Sequence, residues 1–262
     1  MITKRSLLLL ALIVFSSLTA CGGKKLGLDP KNHSDSELYE VGLKYLKDED
    51  YEKAREAFKV VFENFPKSDY RILAKLGYAD SYFQQESEAN YLLAIQEYQD
   101  FISLFPFSPK ACYAQLQIGM CYYGMVEKPD RDQTNTRRAL DEFRKVVDTY
   151  PDCEQYQQAY DHLLKCYSRL AEHEFLIAQF YQKTGRHGAA VDRIKGLLKA
   201  YPESIYQAKF YFVLAHSLQE LGQSSESCAY YELLLGKWPQ TEFTSDAQEE
   251  KAKVCRLEQT PG

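Results

Sequence analysis

Residues 35–66 read DSELYEVGLKYLKDEDYEKAREAFKVVFENFP, and this stretch decides the fold class. Leu38, Gly42 and Tyr45 stand four and three residues apart, and Ala54 and Phe58 four apart, so each set shares one face of a helix. Small residues at Gly42 and Ala54 let two consecutive helices approach closely, and Tyr45 and Phe58 fill the space towards the next pair. Phe65-Pro66 closes the second helix, because proline lacks an N–H and its ring crowds the preceding turn.

The same closing pair recurs as Phe105-Pro106, Tyr150-Pro151, Tyr201-Pro202 and Trp238-Pro239, at intervals of 40, 45, 51 and 37 residues. Two residues after each proline stands Ser68, Ser108, Cys153, Ser204 or Thr241, and all but the cysteine are good helix N-caps. Gln207 follows Ser204 at capping-box spacing, and Pro109 sits where a first helical residue is expected. Counted in 34 positions, the first unit resembles a tetratricopeptide repeat. The frame ending at Pro202 carries Ala178, Tyr181, Gly185, Ala190 and Ile194, and the one ending at Pro239 carries Tyr211, Ala215, Gly222 and Tyr231. Gly185 and Gly222 fall where a left-handed helix C-cap is wanted. The second and third units keep their second helices (Ala94, Tyr98; Ala139, Phe143) but have longer internal loops, 84–90 and 126–136. No breaker separates Tyr156 from Tyr181, which predicts one long helix. The expected fold is all-α: a helical repeat solenoid of five helix pairs plus a C-terminal capping helix.

Residues 1–20 read as a signal peptide, with basic Lys4 and Arg5 and an apolar run from Leu7 to Phe15 too short to span a membrane. Leu18-Thr19-Ala20-Cys21 resembles a bacterial lipobox, which implies lipidation at Cys21 and anchoring through acyl chains. Gly22 after the cysteine, rather than aspartate, implies sorting to the outer membrane. Residues 21–36 read as a flexible tether, 37–151 as repeats one to three, and 152–262 as the bridging helix, repeats four and five and the last helix. Without its first 20 residues the chain has 30 basic and 37 acidic residues, a formal charge of −7, which disfavours nucleic acid. Among Cys112, Cys121, Cys153, Cys166, Cys228 and Cys255, buried free thiols are expected ahead of disulfides, with Cys121–Cys166 open across neighbouring helices.

Several segments together resemble the BamD family of outer membrane assembly lipoproteins: Phe65-Pro66-Lys67-Ser68, Asp130-Arg131-Asp132-Gln133-Thr134, Tyr150-Pro151-Asp152 and Leu170-Ala171-Glu172-His173-Glu174. Ala189-Ala190-Val191-Asp192-Arg193 is similar too, with Asp192 in place of the family's Asn. The resemblance implies a non-enzymatic scaffold in the machinery that inserts β-barrels into the outer membrane, facing the periplasm. It implies as partners a BamA-like barrel protein bound through its periplasmic domains, other assembly lipoproteins, unfolded outer membrane barrel proteins and membrane lipid. Candidate substrate-groove residues are Tyr39, Leu43, Leu46, Leu73 and Tyr78, with core packing as the alternative. Candidate docking residues are Glu174, Arg193 and Tyr211, against ordinary solvated side chains. Another periplasmic repeat lipoprotein, such as a Tol–Pal or cell-wall adaptor, is the competing reading.

Catalytic patterns are missing: there is no GxxxxGK[ST] loop, GxSxG elbow or HExxH helix. His162, Cys166 and His173 lean to one helical face, but His173 is about 16 Å further along the axis than His162, so no metal site is expected. No cofactor is expected.

Overall fold

The computed structural model describes residues 27–257, and among them all regular structure is helical. Eleven helices follow in order: α1 (Asp35–Lys47), α2 (Tyr51–Asn64), α3 (Tyr70–Phe83), α4 (Glu88–Leu104), α5 (Ala111–Gly124), α6 (Thr134–Thr149), α7 (Tyr156–Lys183), α8 (His187–Ala200), α9 (Gln207–Glu220), α10 (Ser224–Lys237) and α11 (Thr244–Leu257). They are the five pairs and the final helix that the punctuation predicts. Cys21 and the leader lie outside the described residues.

The aromatic–proline pairs terminate the second helix of every pair in one conformation. Phe65, Phe105, Tyr150, Tyr201 and Trp238 all have φ between −121° and −133° and ψ between 56° and 69°. Each still donates its N–H to the carbonyl four residues back, while the proline that follows forces its ψ out of the helical range. The serines after the prolines do not cap as expected. Ser68, Ser108 and Ser204 accept from the N–H two residues on, a short turn that ends on the first residue of α3 at Tyr70 and just before α5 and α9 at Lys110 and Tyr206. Pro109 belongs to such a turn, and α5 starts at Ala111. Gln207 does not close a capping box, because its amide donates to the carbonyls of Tyr201 and Pro202.

The described residues divide into two compact units, one ending at Ala74 and the other beginning at Lys75. In the first, α1 packs on α2 over Leu38, Ala54, Ala57, Phe58 and Val61, all fully buried. Gly42 is there for closeness: a Cβ on it would lie 2.5 Å from the Phe58 ring. The expected tether is shorter than residues 21–36. Asp29 accepts from the Lys31 N–H, and Ser34 caps α1 in a reciprocal box with Glu37, so the helix already includes Asp35 and Ser36.

In the second unit each helix from α4 to α11 packs on the next. One core joins Leu116, Phe143, Val146, Leu163 and Leu170 from α5, α6 and α7, and another joins Phe175, Ile194, Leu197, Phe210 and Leu214 from α7, α8 and α9. Both run through α7, whose 28 residues let one helix serve two layers. Disulfides form where free thiols were expected: Cys112 of α5 with Cys153 before α7, and Cys228 of α10 with Cys255 of α11. The Cα atoms lie 6.5 and 5.4 Å apart, within bridging range. Sequence alone could not choose these pairs, because only the folded turn at residues 151–155 carries Cys153 back over the start of α5. Cys121 and Cys166 are buried thiols and do not pair with each other.

Asp80 of α3 is largely buried and accepts hydrogen bonds from the hydroxyls of Tyr98 and Tyr113. Burial pushes its carboxyl up to about 6, with the two hydroxyls pulling the other way. The folded value lies above the ordinary 3.8, so the native state holds this proton more tightly than the unfolded chain. That stabilisation is complete below about pH 4 and is lost as the pH rises through about 6, a swing of roughly 2–3 kcal/mol. Asp80→Asn keeps an acceptor for both tyrosines and removes the titration. Urea unfolding at pH 4.5 and 7.5 should show wild type losing more stability than the variant over that interval, by about 2 kcal/mol. Parallel profiles would contradict this role for Asp80.

Candidate docking site

The Leu170-Ala171-Glu172-His173-Glu174 segment sits in the middle of α7 and works as a junction. Leu170 and Ala171 are buried between the two cores. The next three side chains point in three directions, as the 100° step of a helix requires. Glu172 accepts from the Tyr206 hydroxyl at 3.1 Å, at the entrance to α9. His173 places Nδ1 2.6 Å from the Pro129 carbonyl oxygen, on the loop between α5 and α6. Glu174 forms an ion pair with Arg193 of α8.

That loop is internally built. Gln133 is almost fully buried, donates to the carbonyls of Lys128 and Arg131, and accepts from Thr136. Arg169 of α7 donates to the Glu127 carbonyl at 2.7 Å. The Asp130–Thr134 motif therefore holds a loop in shape against α7 and leaves Asp130, Arg131 and Asp132 exposed.

Glu174 and Arg193 are about one-third exposed, and they line an open cleft of about 600 Å³ with Tyr181, Asp192, Gly196 and Tyr201. Gly196 carries no side chain to close the cleft, and a Cβ there would meet nothing within 4 Å. Tyr201 also lines an adjoining apolar pocket of about 310 Å³ with Leu164, Tyr167, Pro202 and Ile205. Ile205 is 77% exposed, although an isoleucine at that turn has no need to face water for folding. Burial and the neighbouring Glu174 carboxylate both raise the Tyr201 hydroxyl above its ordinary value, so it keeps its proton.

Of the three docking candidates, the structure joins Glu174 and Arg193. Tyr211 packs elsewhere, its ring 5.3 Å from Trp238 and 5.8 Å from Tyr230, with the Lys237 amine over it. The sequence places Tyr181 and Tyr201 in the repeat frame and Asp192 beside Arg193, but nothing in it assigns these three to a cleft with Glu174. In the first unit, Tyr39, Leu43, Leu46 and Leu73 are all half-buried, and the Tyr39 ring lies against Phe58 and Tyr70. In the second, Tyr78 is half-buried and meets Tyr82 edge-on.

The former metal candidates have other partners. His162 contacts the Gln158 carbonyl and packs on Tyr123 and Phe143, while Cys166 lies in the core. Cys228 and Cys255 approach Glu232, but their sulfurs are committed to the disulfide. Among the described residues no helix is long and apolar enough to cross a membrane.

Residues 31–233 match the family model YfiO, described as outer membrane lipoprotein. The outer membrane protein assembly factor BamD of Caulobacter vibrioides is 29% identical over 221 residues, covering 83% of this chain and 71% of that one. The proteins of the same name from Pasteurella multocida and Haemophilus influenzae are 28% and 27% identical, covering 76% and 83% of this chain and 78% and 84% of theirs. Among solved structures, the TPR2AB-domain:pHSP90 complex of yeast Sti1 is similar over 84% of this chain and 82% of its own, at 18% identity and a TM-score of 0.45. With three quarters of its length inside the family model, this chain belongs to the YfiO family of outer membrane lipoproteins.

Proposed function

We propose that this chain is a scaffold lipoprotein, not an enzyme, that takes part in assembling and inserting β-barrel proteins at the outer membrane. Relatives carrying the name of assembly factor support the setting. The observation that carries the mechanism is the part-buried Glu174–Arg193 pair at an open cleft, flanked by an apolar pocket. Such a combination suits a protein partner: a guanidinium supplies directional hydrogen bonds, and an adjoining apolar hollow accepts an anchoring side chain. The partner in this reading is a periplasmic domain of a BamA-like barrel protein, with other assembly lipoproteins in the same complex. Tyr39, Leu43, Leu46 and Leu73 of the first unit are proposed to receive the extended, aromatic terminal signal of unfolded barrel proteins, and Tyr78 is a separate candidate for the same contact.

Affinity purification from detergent-solubilised outer membranes tests the setting. A large barrel protein with repeated periplasmic domains should be recovered in near-stoichiometric amount. Recovery of peptidoglycan-linked or Tol–Pal partners in its place would overturn the reading.

Cys21 is the proposed lipid attachment site, facing the chain towards the periplasm from the outer membrane. Cys21→Ser should accumulate as an unprocessed, unlipidated precursor in pulse-labelled cells. Normal maturation of that variant would remove Cys21 from the role.

A further inference from the structure

Beyond residue 21 the cysteines occur in the order 112, 121, 153, 166, 228 and 255, and the native bonds are 112–153 and 228–255. The first bond therefore passes over Cys121, which ends as a buried thiol, as does Cys166. An unfolded chain prefers other pairs. Closure falls as roughly the three-halves power of separation, so the nine-residue ring Cys112–Cys121 closes about tenfold more readily than the native 41-residue ring. Cys153–Cys166, thirteen residues apart, is favoured in the same way.

Neither short ring fits the fold. Cys112 and Cys121 both belong to α5, about 13 Å apart along its axis, twice the usual Cα separation of a disulfide. Cys166 lies about 15 Å into α7, whereas Cys153 precedes that helix. Closing either ring early prevents α5 or α7 from completing. Once the native state forms, both remaining thiols are out of reach, and burial pushes each up to about 12, so they do not attack.

We propose that this chain is a client of a thiol–disulfide isomerase, which converts the Cys112–Cys121 and Cys153–Cys166 pairs into Cys112–Cys153. With Cys153 still reduced, the isomerase thiolate attacks the Cys112 sulfur. The Cys112–Cys121 bond breaks, Cys121 leaves as a thiolate and takes a proton, and Cys112 is held as a mixed disulfide. The Cys153 thiolate then attacks Cys112 and expels the isomerase thiolate, with no net oxidation. Where both short rings have closed, two disulfides become one disulfide and two thiols. The two electrons and two protons then come from the isomerase dithiol, which becomes a disulfide. The first oxidation of the thiols uses a protein disulfide as acceptor. The inference rests on the periplasmic reading only for oxidising surroundings, and its test needs no docking partner.

The test uses residues 21–262 with Cys21→Ser, reduced, unfolded and returned to a glutathione redox buffer, with and without a purified bacterial disulfide isomerase. Samples are quenched by alkylation over time and their disulfide peptides mapped by mass spectrometry. The Cys112–Cys121 peptide should lead Cys112–Cys153 by about tenfold at the earliest times. The isomerase should speed the conversion at least fivefold, and Cys121→Ala/Cys166→Ala should reach the native pair without needing it. First appearance of Cys112–Cys153 with no Cys121 or Cys166 disulfide trapped would overturn the proposal, and so would an isomerase without effect. If the double variant fails to fold, the wild-type trapping series decides by itself.

Discussion

Arg193→Glu should abolish recovery of the barrel partner while the helical fold survives. The substitution reverses the charge at the cleft and sets a second carboxylate beside Glu174 and next to Asp192, so an acidic patch replaces a balanced pair. A partner seated in the cleft buries the pair, and truncating one member of a buried hydrogen-bonded charge pair at an interface costs about 2–5 kcal/mol, or roughly thirtyfold to several thousandfold in affinity. The fold loses far less, because ion pairs this exposed contribute about 0–1 kcal/mol. Circular dichroism should therefore be unchanged and the thermal midpoint shifted by only a few degrees.

The charge swap Arg193→Glu/Glu174→Arg separates two roles for the arginine. It restores an internal pair but presents the guanidinium from α7 instead of α8. If Arg193 itself reaches the partner, the swap recovers stability and leaves binding lost. Full recovery of binding would mean that the pair only holds α7 to α8, and unchanged co-purification of Arg193→Glu would remove the residue from the interface.

Phe143→Ala should be among the most destabilising single changes in the chain. Its ring is fully buried, fills the space above Gly119 and packs beside Tyr123 and His162. Emptying such a site costs about 3–5 kcal/mol in transfer and cavity terms, equivalent to a fall of roughly 10 °C in midpoint for a unit of this size. The contact with Gly119 supplies an internal check. A Cβ on Gly119 would sit 2.6 Å from the ring, so Gly119→Ala alone should cost about 1–3 kcal/mol. In the Phe143→Ala background the clash is gone, and alanine's better helix propensity returns up to about 1 kcal/mol. The two changes should thus be strongly non-additive by thermal melts, the double variant being no less stable than Phe143→Ala. Additive losses would mean that the close approach does not depend on this pair.

Much of this was legible because it is local. An aromatic residue before proline ends a helix wherever it occurs, and all five examples adopt one backbone conformation. Gly185 and Gly222 take positive φ at the turns where the repeat frame placed them. At two equivalent turns, Glu49 and Glu86 adopt positive φ without being glycine, which no composition rule reveals. The capping serines misled for a related reason: a hydroxyl two or three residues before a helix satisfies a turn N–H as readily as one further into the helix.

The sequence by itself determined the number of helix pairs, where the second helix of each pair stops, the long α7 and the small residues that let helices meet. Each of these depends on neighbours in the chain or on a fixed helical period. Tertiary structure decided which cysteines meet, that three consecutive residues of α7 reach three different elements, and that Arg193 shares a cleft with Glu174 while Tyr211 does not. Those outcomes depend on how far one helix is carried across another, a quantity set by packing across tens of residues and by no local pattern.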